Sequence, residues 1–368
     1  MGKPKICRQG LPARRTSLSG RGWARTPGGL VATLGLIAAA TVPAPAAAGA
    51  APVPGGLVFV VNYGGMGSSG IAANGSVMSY RLDGSGNLHP WQTISKGLSA
   101  PQGLTFDHAG DLWVSSSNTN TLVEYKRAEL AGHSPLPSVT ISPDSNGSLN
   151  GPGGLAFDSA GDLWVANTGV TTVVEYSAAQ LAKSGSPTPE VTISNSNFTT
   201  PYGVALDSSG NLWVSDNDQP TSPGVWEYPK SQLAKASPAP AVTLNLPVSP
   251  LGDDTRSGLA FDSAGNLWVV NSGGGALVEF AKSQLAKRTS TPHVTITAGT
   301  SNSLNAPDGM SIDSSGDVWV ANTGSSTIVE FAKSELSKSG SPKPIRTIAG
   351  TSTGLNFPMD VEVAPAGS

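Results

Sequence analysis

The chain has little cysteine, histidine and charge, and each shortage excludes a class of protein. Its 368 residues include one cysteine, four histidines and 13% charged residues. The single cysteine, Cys7, lies among basic residues near the N-terminus, so the remaining chain has neither disulfides nor cysteine-ligated metals. The sequence also lacks the G-x-S-x-G motif of serine hydrolases, the H-E-x-x-H motif of zinc proteases and a phosphate-binding loop. Catalysis that depends on those motifs is therefore excluded.

Long apolar runs are also missing, apart from one near the N-terminus. Residues 1–29 carry seven basic and no acidic residues, and the run LVATLGLIAAATV follows over residues 30–42, before the small residues APAAAGAAP. This order is typical of a secretory signal peptide, and the run is short for a membrane span, although an uncleaved anchor is the alternative. We predict a signal peptide and linker over residues 1–50, a folded domain over residues 51–368, and a secreted, extracellular or cell-envelope protein.

Basic residues are scarce once the predicted signal is removed. The remaining chain has 15 basic and 25 acidic residues, which is a net charge of −10. An acidic surface argues against nucleic acid and anionic membranes as partners. We expect a monomer that binds an unknown protein, glycan or small ligand, with no nucleic-acid partner and no stable membrane insertion after signal cleavage.

The feature present in abundance is a repeat. A unit of the form G-apolar-x-apolar-D-S-x-G-[DN]-L-W-V begins at five glycines: Gly103, Gly154, Gly203, Gly258 and Gly309. Its tryptophans, Trp113, Trp164, Trp213, Trp268 and Trp319, lie 51, 49, 55 and 51 residues apart. A period near fifty with short strands is typical of β-propeller blades.

The second unit shows how one blade is built. Alternating apolar residues predict strands over residues 155–157, 163–167, 172–176 and 191–194. Residues 158–162 form a hairpin loop, because Asp opens such turns and Gly adopts their left-handed position. Ser177 and Gln180 have capping-box spacing, and Gly185 is the predicted terminator of one or two helical turns. Four strands and a short helix make one blade.

The two ends of the domain complement each other. The segment FPMDVEVAPAGS at the C-terminus aligns with APDGMSIDSSGD and supplies a first strand, whereas LVFVVNYGG from Leu57 aligns with DVWVANTGS and starts at a second strand. We therefore predict an all-β, six-bladed β-propeller with four-stranded blades and short helices between third and fourth strands. The C-terminal strand closes the ring by joining the N-terminal blade beside Leu57–Asn62, which removes free sheet edges.

These repeats resemble the NHL-type and gluconolactonase/regucalcin-like six-bladed β-propellers over about residues 56–368, a resemblance that implies fold more than function. The streptogramin-inactivating lyases carry similar P-x-G-I-A and G-x-L-W units. The segment APDGMSID, from Ala306 to Asp313, looks like the one that carries a metal-ligating Asp in the gluconolactonase/regucalcin group. The resemblance makes Asp308 a candidate ligand for Ca²⁺ or another divalent cation. The Glu and Asn of that family's metal site are not reproduced in the other blades.

Candidate site residues are those that differ between blades at the expected channel mouth. An inner ring precedes the repeat glycine: Gln102, Gly153, Tyr202, Ser257, Asp308 and Met359. An outer ring ends the second strand: Asn62, Ser116, Asn167, Asp216, Asn271 and Asn322. Converging oxygens could hold Ca²⁺, and Tyr202 with Arg256 could bind a sugar or another polar ligand. The repeated tryptophans and third-strand glutamates are predicted to be structural; the glutamates would bond backbone or face solvent.

Three functional hypotheses follow. The first is a binding or scaffold module that acts through its channel mouth, and it is favoured because no catalytic set is complete. The second is a metal-dependent, lactonase-like hydrolase with Asp308 as metal ligand. The third is a lyase, which is disfavoured because the histidines, His89, His108, His133 and His293, fall away from the predicted mouth.

Overall fold

The computed structural model describes residues 56–64, 75–132, 134–195, 198–216, 224–235, 238–246, 258–287 and 291–365. The predicted signal peptide and linker, the candidates Arg256 and Ser257, and the last three residues lie outside these ranges. Among the described helices, none is both long enough and apolar enough to cross a membrane.

The described strands form six antiparallel sheets of four strands each. Blade 1 contains β4 (Pro101–Phe106), β5 (Leu112–Ser116), β6 (Thr121–Tyr125) and β7 (Val139–Ile141). Blade 2 contains β8 (Pro152–Phe157), β9 (Leu163–Asn167), β10 (Thr172–Tyr176) and β11 (Val191–Ser194). Blade 3 contains β12 (Pro201–Leu206), β13 (Leu212–Asp216), β14 (Gly224–Tyr228) and β15 (Val242–Asn245).

The other three sheets follow the same pattern. Blade 4 contains β16 (Leu259–Phe261), β17 (Leu267–Asn271), β18 (Ala276–Phe280) and β19 (Val294–Thr297). Blade 5 contains β20 (Pro307–Ile312), β21 (Val318–Asn322), β22 (Thr327–Phe331) and β23 (Arg346–Ile348). The shared blade contains β24 (Pro358–Val363), β1 (Leu57–Asn62), β2 (Ser76–Arg81) and β3 (Gln92–Ile94). The predicted six-bladed β-propeller is thus confirmed.

The ring closes as the aligned chain ends predict. The C-terminal strand β24 pairs antiparallel with β1, with Val58 opposite Val363 and Phe59 opposite Glu362. Beyond the strand, the Tyr63 N–H donates to the Phe357 carbonyl at 3.1 Å. Strand pairing therefore joins the two ends of the domain, and β1 has no free edge.

The core lies between blades. Trp113 of blade 1 packs in one cluster with Leu155 and Leu163 of blade 2, and its ring meets Phe157 edge-on at a centroid distance of 6.1 Å. Phe59 takes the tryptophan position in the shared blade and meets Phe106 edge-on at 5.4 Å. The repeat tryptophans are at most 4% exposed. The prediction that they are packing residues is confirmed, because each fills the interface with the next blade.

The inner strands approach one another too closely for a side chain at the repeat glycine. A Cβ atom on Gly154 would lie 2.7 Å from the Tyr202 carbonyl oxygen, and one on Gly103 would lie 2.5 Å from the Gly153 carbonyl oxygen. Between blades 4 and 5 the contact becomes a hydrogen bond, since the Gly258 N–H donates to the Asp308 carbonyl at 3.0 Å. Glycine at this position therefore sets the narrow radius of the central channel.

Short helices connect the third and fourth strands of blades 1 to 5, as predicted. They span Arg127–Glu129, Ala178–Leu181, Lys230–Leu233, Lys282–Leu285 and Lys333–Glu335. A leucine at or just after each helix end is buried: Leu130, Leu181, Leu233, Leu285 and Leu336. Each helix covers only about one turn, so it owes its conformation to this buried contact and to its neighbours.

The prediction that Gly185 ends a helix is wrong. The helix ends at Leu181, and Gly185 instead forms a parallel bridge to Ile141 of the preceding blade. The Gly185 N–H donates to the Thr140 carbonyl at 3.1 Å, and the Gly185 carbonyl accepts from Ser142 at 2.8 Å. Gly340 repeats this bridge with Ile296. The K-S-G-S-P sequence therefore builds a strap between blades, because its backbone groups pair with the edge strand of the neighbouring blade.

Candidate functional site

The inner strands surround an axial cavity of about 310 Å³. These strands all begin at the end lined by Gln102, Tyr202 and Met359, which we call the mouth. They finish at the end lined by Phe106, Phe157, Leu206, Phe261 and Ile312, which we call the base. His108 also lines the cavity, from the hairpin that follows β4. A cavity of this volume is at the small end of those that hold a small molecule.

Three of the predicted inner-ring residues, Gln102, Tyr202 and Met359, do line the cavity. Gln102 is half-buried, and its Oε1 is shielded from solvent without a hydrogen-bond partner. Asp308 is 2% exposed and does not line the cavity; its Oδ2 accepts a hydrogen bond from the Thr323 hydroxyl at 3.3 Å. The one acidic residue of the predicted inner ring therefore does not contribute to the cavity lining.

The predicted outer ring holds the loops between blades. The Asn167 Oδ1 accepts the Asn150 N–H at 3.2 Å, while its amide nitrogen donates to the Ser148 carbonyl at 2.9 Å. Asn322 makes the equivalent pair of bonds with Asn305 at 3.0 Å and Ser303 at 3.0 Å. Both side chains are nearly fully buried. Their polar atoms are thus engaged in fixing the chain before each inner strand.

The other outer-ring residues behave similarly. The Asp216 carboxylate accepts the Thr199 N–H at 2.6 Å and the Thr200 N–H at 2.9 Å. The Asn62 Oδ1 accepts the Asn356 N–H at 2.5 Å, and the Asn271 Oδ1 accepts the Gly274 N–H at 3.2 Å. None of these five outer-ring candidates is among the described residues that line the cavity. Their role in ligand binding stays a prediction, and their structural role is loop anchoring.

Sequence reasoning missed two acids inside the cavity. Asp360 and Glu362 lie on β24 and line the wall, at positions that align with Gly309 and Ser311 of blade 5. The other inner strands carry glycine at the first position and Thr, Ala or Ser at the second. This departure from the repeat is visible in the PMDVEV segment. The predicted inner ring contains only the residue before the repeat glycine, so the two acids fall outside it.

Asp360 bridges the seam between the shared blade and blade 1. Its Oδ2 accepts the Leu104 N–H at 3.0 Å, and its Oδ1 accepts the Val361 N–H at 2.9 Å. Burial raises the pKa of Asp360 to about 7, with a further contribution from the charge of Asp308, while the two N–H groups act in the opposite direction. Asp360 therefore titrates near neutral pH.

Glu362 lies two residues further along the same wall. It is half-buried, and burial together with the charge of Asp360 raises its pKa to about 8. The described residues that line the cavity include no lysine and no arginine. At neutral pH the cavity wall therefore carries a mostly protonated, uncharged Glu362 and a partly ionised Asp360. The described lining residues include no ammonium or guanidinium group that would neutralise the charge of Asp360.

The divalent cation implied by the gluconolactonase resemblance does not fit this mouth. Ca²⁺ takes six to eight oxygen ligands, whereas Asp308 is accompanied in the inner ring by the apolar Met359 and the side-chain-free Gly153. Within the described residues, acids converge in threes only near the hairpin loops, in the groups Asp107–Asp111–Glu124, Asp158–Asp162–Glu175 and Asp313–Asp317–Glu330. The described surroundings of Asp308 therefore support no metal-dependent step.

Three of the five third-strand glutamates, Glu124, Glu175 and Glu330, belong to those hairpin groups. For Glu124 and Glu330 the prediction of a backbone bond or a solvent-facing position is wrong, because both are buried and pair with basic side chains. In blade 1 the Lys126 Nζ lies 2.7 Å from Glu124 and 2.8 Å from Asp111. In blade 5 the Arg346 guanidinium lies 3.0 Å from Glu330. In blade 2 burial and neighbouring acids raise the pKa of Glu175 to about 7. These glutamates recur in blades 1 to 5 and belong to the blade scaffold.

Six four-stranded sheets around an axial cavity, closed by the C-terminal strand, define the protein as a six-bladed β-propeller. A family model described as the SMP-30/gluconolactonase/LRE-like region matches residues 205–339, which include Asp308. The chain thus shares the sequence pattern of the gluconolactonase/regucalcin propellers over this part, and the resemblance drawn from its repeats is confirmed. No curated protein sequence matches the chain significantly.

Several solved structures share the fold. A chain of a nidogen/laminin complex is 12% identical, with a TM-score of 0.57, over 85% of this chain and 99% of that one. The periplasmic gluconolactonase of Pseudomonas aeruginosa is 16% identical, with a TM-score of 0.56, over 84% of this chain and 85% of that one. A protein of unknown function from Bacteroides caccae is 11% identical, with a TM-score of 0.55, over 85% and 99%. At these identities the likeness concerns the fold alone.

Proposed function

We propose that this protein is an exported propeller that binds a small ligand in its axial cavity. The observation that carries the proposal is the buried Gln102 Oε1, which lines the cavity and has no hydrogen-bond partner. A buried acceptor without a donor destabilises the folded protein by about 1–3 kcal/mol. A ligand that donates a hydrogen bond to Gln102 recovers part of that free energy.

The cavity also favours a small ligand over a protein or a long glycan. Its volume is about 310 Å³, and the wall combines polar groups at the mouth with an apolar base around Phe106 and Phe157. Small-molecule sites have this mixture, in which apolar surface supplies affinity and a few polar groups set orientation. Tyr202 and Met359 would contact the ligand as it enters.

A ligand screen tests this function. Neutral, acidic and basic small molecules are tested for binding to the protein by ligand-observed NMR, alongside Gln102→Ala. Gln232→Ala, on a helix whose residues do not line the cavity, is the matched control. We expect compounds that bind the wild type and the control but bind Gln102→Ala several-fold more weakly. Absence of any binder, or equal binding to Gln102→Ala, would contradict the proposal.

A lactonase-like hydrolase is the second candidate, favoured by the family-model match across Asp308. Its test is hydrolysis of sugar lactones, followed by acid release with and without added Ca²⁺. Hydrolysis that is lost in Asp308→Asn would replace the binding proposal with an enzymatic one. Rates equal to the uncatalysed reaction would exclude this candidate for the lactones tested.

A further inference from the structure

The cavity wall holds a third polar group beside the two acids of β24. Ser311 lies on β20, is 3% exposed, and lines the same cavity. Its Oγ is buried and has no hydrogen-bond partner. A buried hydroxyl without a partner is uncommon in folded proteins, so a missing donor or acceptor is expected in the space that it borders.

Ser311 and the two acids lie on adjacent inner strands. Gly309 and Ser311 of β20 align with Asp360 and Glu362 of β24. The strands touch there, since a Cβ atom on Gly309 would lie 2.3 Å from the Asp360 Oδ1. One stretch of the wall therefore presents a hydroxyl and two carboxyl groups, all of which accept hydrogen bonds.

This stretch of the wall carries acidic groups and hydrogen-bond acceptors, but the described lining residues include no lysine or arginine to match them. No described residue forms a hydrogen bond or an ion pair with the Glu362 side chain, and Gln102 Oε1 adds a further unused acceptor toward the mouth. Aromatic rings of Phe106, Phe157 and Phe261 lie at the base. The complementary ligand therefore carries positive charge and several N–H donors, together with an apolar or aromatic body.

We propose that the cavity binds a small organic cation, a primary amine with a compact apolar body. Its ammonium group would donate to Glu362 and Ser311 beside Asp360, and its apolar body would lie against the rings at the base. The inference rests on the proposed binding function and names the ligand class for the same cavity. A metal ion fits less well, because both Asp360 oxygens already accept backbone N–H groups, which leaves few of the oxygens that Ca²⁺ needs.

The ionisation of the wall gives this proposal a distinctive signature. Burial and the Asp360 charge raise the pKa of Glu362 to about 8, so the group is mostly protonated at pH 7. An ammonium beside it favours the carboxylate, and binding therefore releases a proton. Asp308, Asp360 and His108 are the other titratable groups at or beside the cavity. Affinity should rise as the pH increases from about 6 to about 8.

Calorimetry on the full chain tests the proposal, with benzylamine as the probe and benzyl alcohol as its uncharged counterpart. Titrations in two buffers that differ in ionisation enthalpy measure proton release. Glu362→Gln keeps the shape of the side chain, and the exposed Glu335→Gln is its matched control. We expect one benzylamine to bind per chain with release of a proton, and we expect no binding of benzyl alcohol. The affinity for benzylamine should be at least about tenfold lower in Glu362→Gln than in the wild type and in Glu335→Gln.

Ser311→Ala is the second variant, expected to weaken benzylamine binding several-fold, and it keeps the test decisive if Glu362→Gln fails to fold. The amine proposal would be overturned if Glu362→Gln and Ser311→Ala bound benzylamine as tightly as the wild type does. Binding of Ca²⁺ from CaCl₂ without any binding of the amine would also overturn it. If the amine fails but a neutral or acidic compound binds in a Gln102-dependent way, only the ligand class is wrong. If no compound of any charge binds, the binding function fails as well.

Discussion

Two kinds of seam join the blades of this propeller at its axis. Between blades 2 and 3 the inner backbones touch, and a Cβ atom on Gly154 would lie 2.7 Å from the Tyr202 carbonyl oxygen. Between the shared blade and blade 1 the Asp360 carboxylate lies between the strands and accepts the Leu104 N–H at 3.0 Å. The seam between the shared blade and blade 1, which we call the closing seam, therefore has a side chain at the position where the described seams at Gly103, Gly154, Gly258 and Gly309 leave no room for a Cβ atom.

The difference shows where this fold can place polar chemistry. Seams inside the repeat are held by close backbone packing, so an acid there would clash. The closing seam flanks β24, whose pairing with β1 joins the two ends of the domain, and β24 places Asp360 and Glu362 at the cavity wall. The closing seam is thus also the part of the wall most suited to a ligand.

Removal of β24 should have the largest effect. Deletion of residues 357–368 leaves β1 with a free edge and removes the buried Met359 and Val361 from the core. We expect loss of the cooperative thermal transition of the whole domain, followed by circular dichroism. Deletion of residues 366–368 alone is the control and should melt as the wild type does. A normal transition without β24 would refute closure by strand pairing.

A methyl group in a repeat seam should have the next largest effect. Gly154→Ala places a Cβ atom 2.7 Å from the Tyr202 carbonyl oxygen, and overpacking of this kind costs about 1–3 kcal/mol. Gly185→Ala is the control, because no atom lies within 4 Å of its added Cβ. Denaturant unfolding measures both free energies of unfolding. Equal stability of the two variants would show that the seams are looser than the structure indicates.

The closing seam should also make stability depend on pH. The native pKa of Glu362 is raised to about 8 and that of Asp360 to about 7, so the folded state binds more protons than the unfolded state between about pH 4 and pH 8. Stability should therefore fall as the pH rises through this range. Glu362→Gln should make the decline shallower, as measured by melting temperature. If the melting temperature of Glu362→Gln fell with pH as steeply as that of the wild type, Glu362 would not have a raised pKa in the folded state.

The smallest effect is expected at the straps on the outer rim. The Ser184 Oγ accepts the Thr140 N–H at 3.0 Å, and this bond joins blades 1 and 2. Ser184→Ala should lower the free energy of unfolding by about 0.5–1.5 kcal/mol at most, because it removes one exposed hydrogen bond. Ser339→Ala removes the equivalent bond of blade 5 and should give the same loss, whereas the exposed Ser186→Ala is the control and should change little. If Ser184→Ala lost more free energy of unfolding than Gly154→Ala, the straps would contribute more to stability than the inner seams, which contradicts the expected order.

Much of the fold was predictable because its rules are local. The strand bounds of β9 and β10 follow from alternation and turn chemistry, and the six blades follow from counting repeats and matching the chain ends. The strap at Gly185 was not predictable, since its partner Ile141 belongs to another blade and the spacing resembles a helix end. The candidate site was predicted in part: the inner ring includes Gln102 and Tyr202, but the acids of β24 were missed.

The amino-acid sequence alone determined the number of blades, the strand order and the position of the packing tryptophans, because each depends on patterns within one repeat or between aligned ends. The tertiary structure alone decided which polar side-chain atoms form hydrogen bonds. The Asn62 side chain, for example, accepts a hydrogen bond from Asn356, 294 residues away. It also decided the ionisation of Glu362, because burial in the closed ring, with a smaller contribution from the charge of Asp360, raises that pKa.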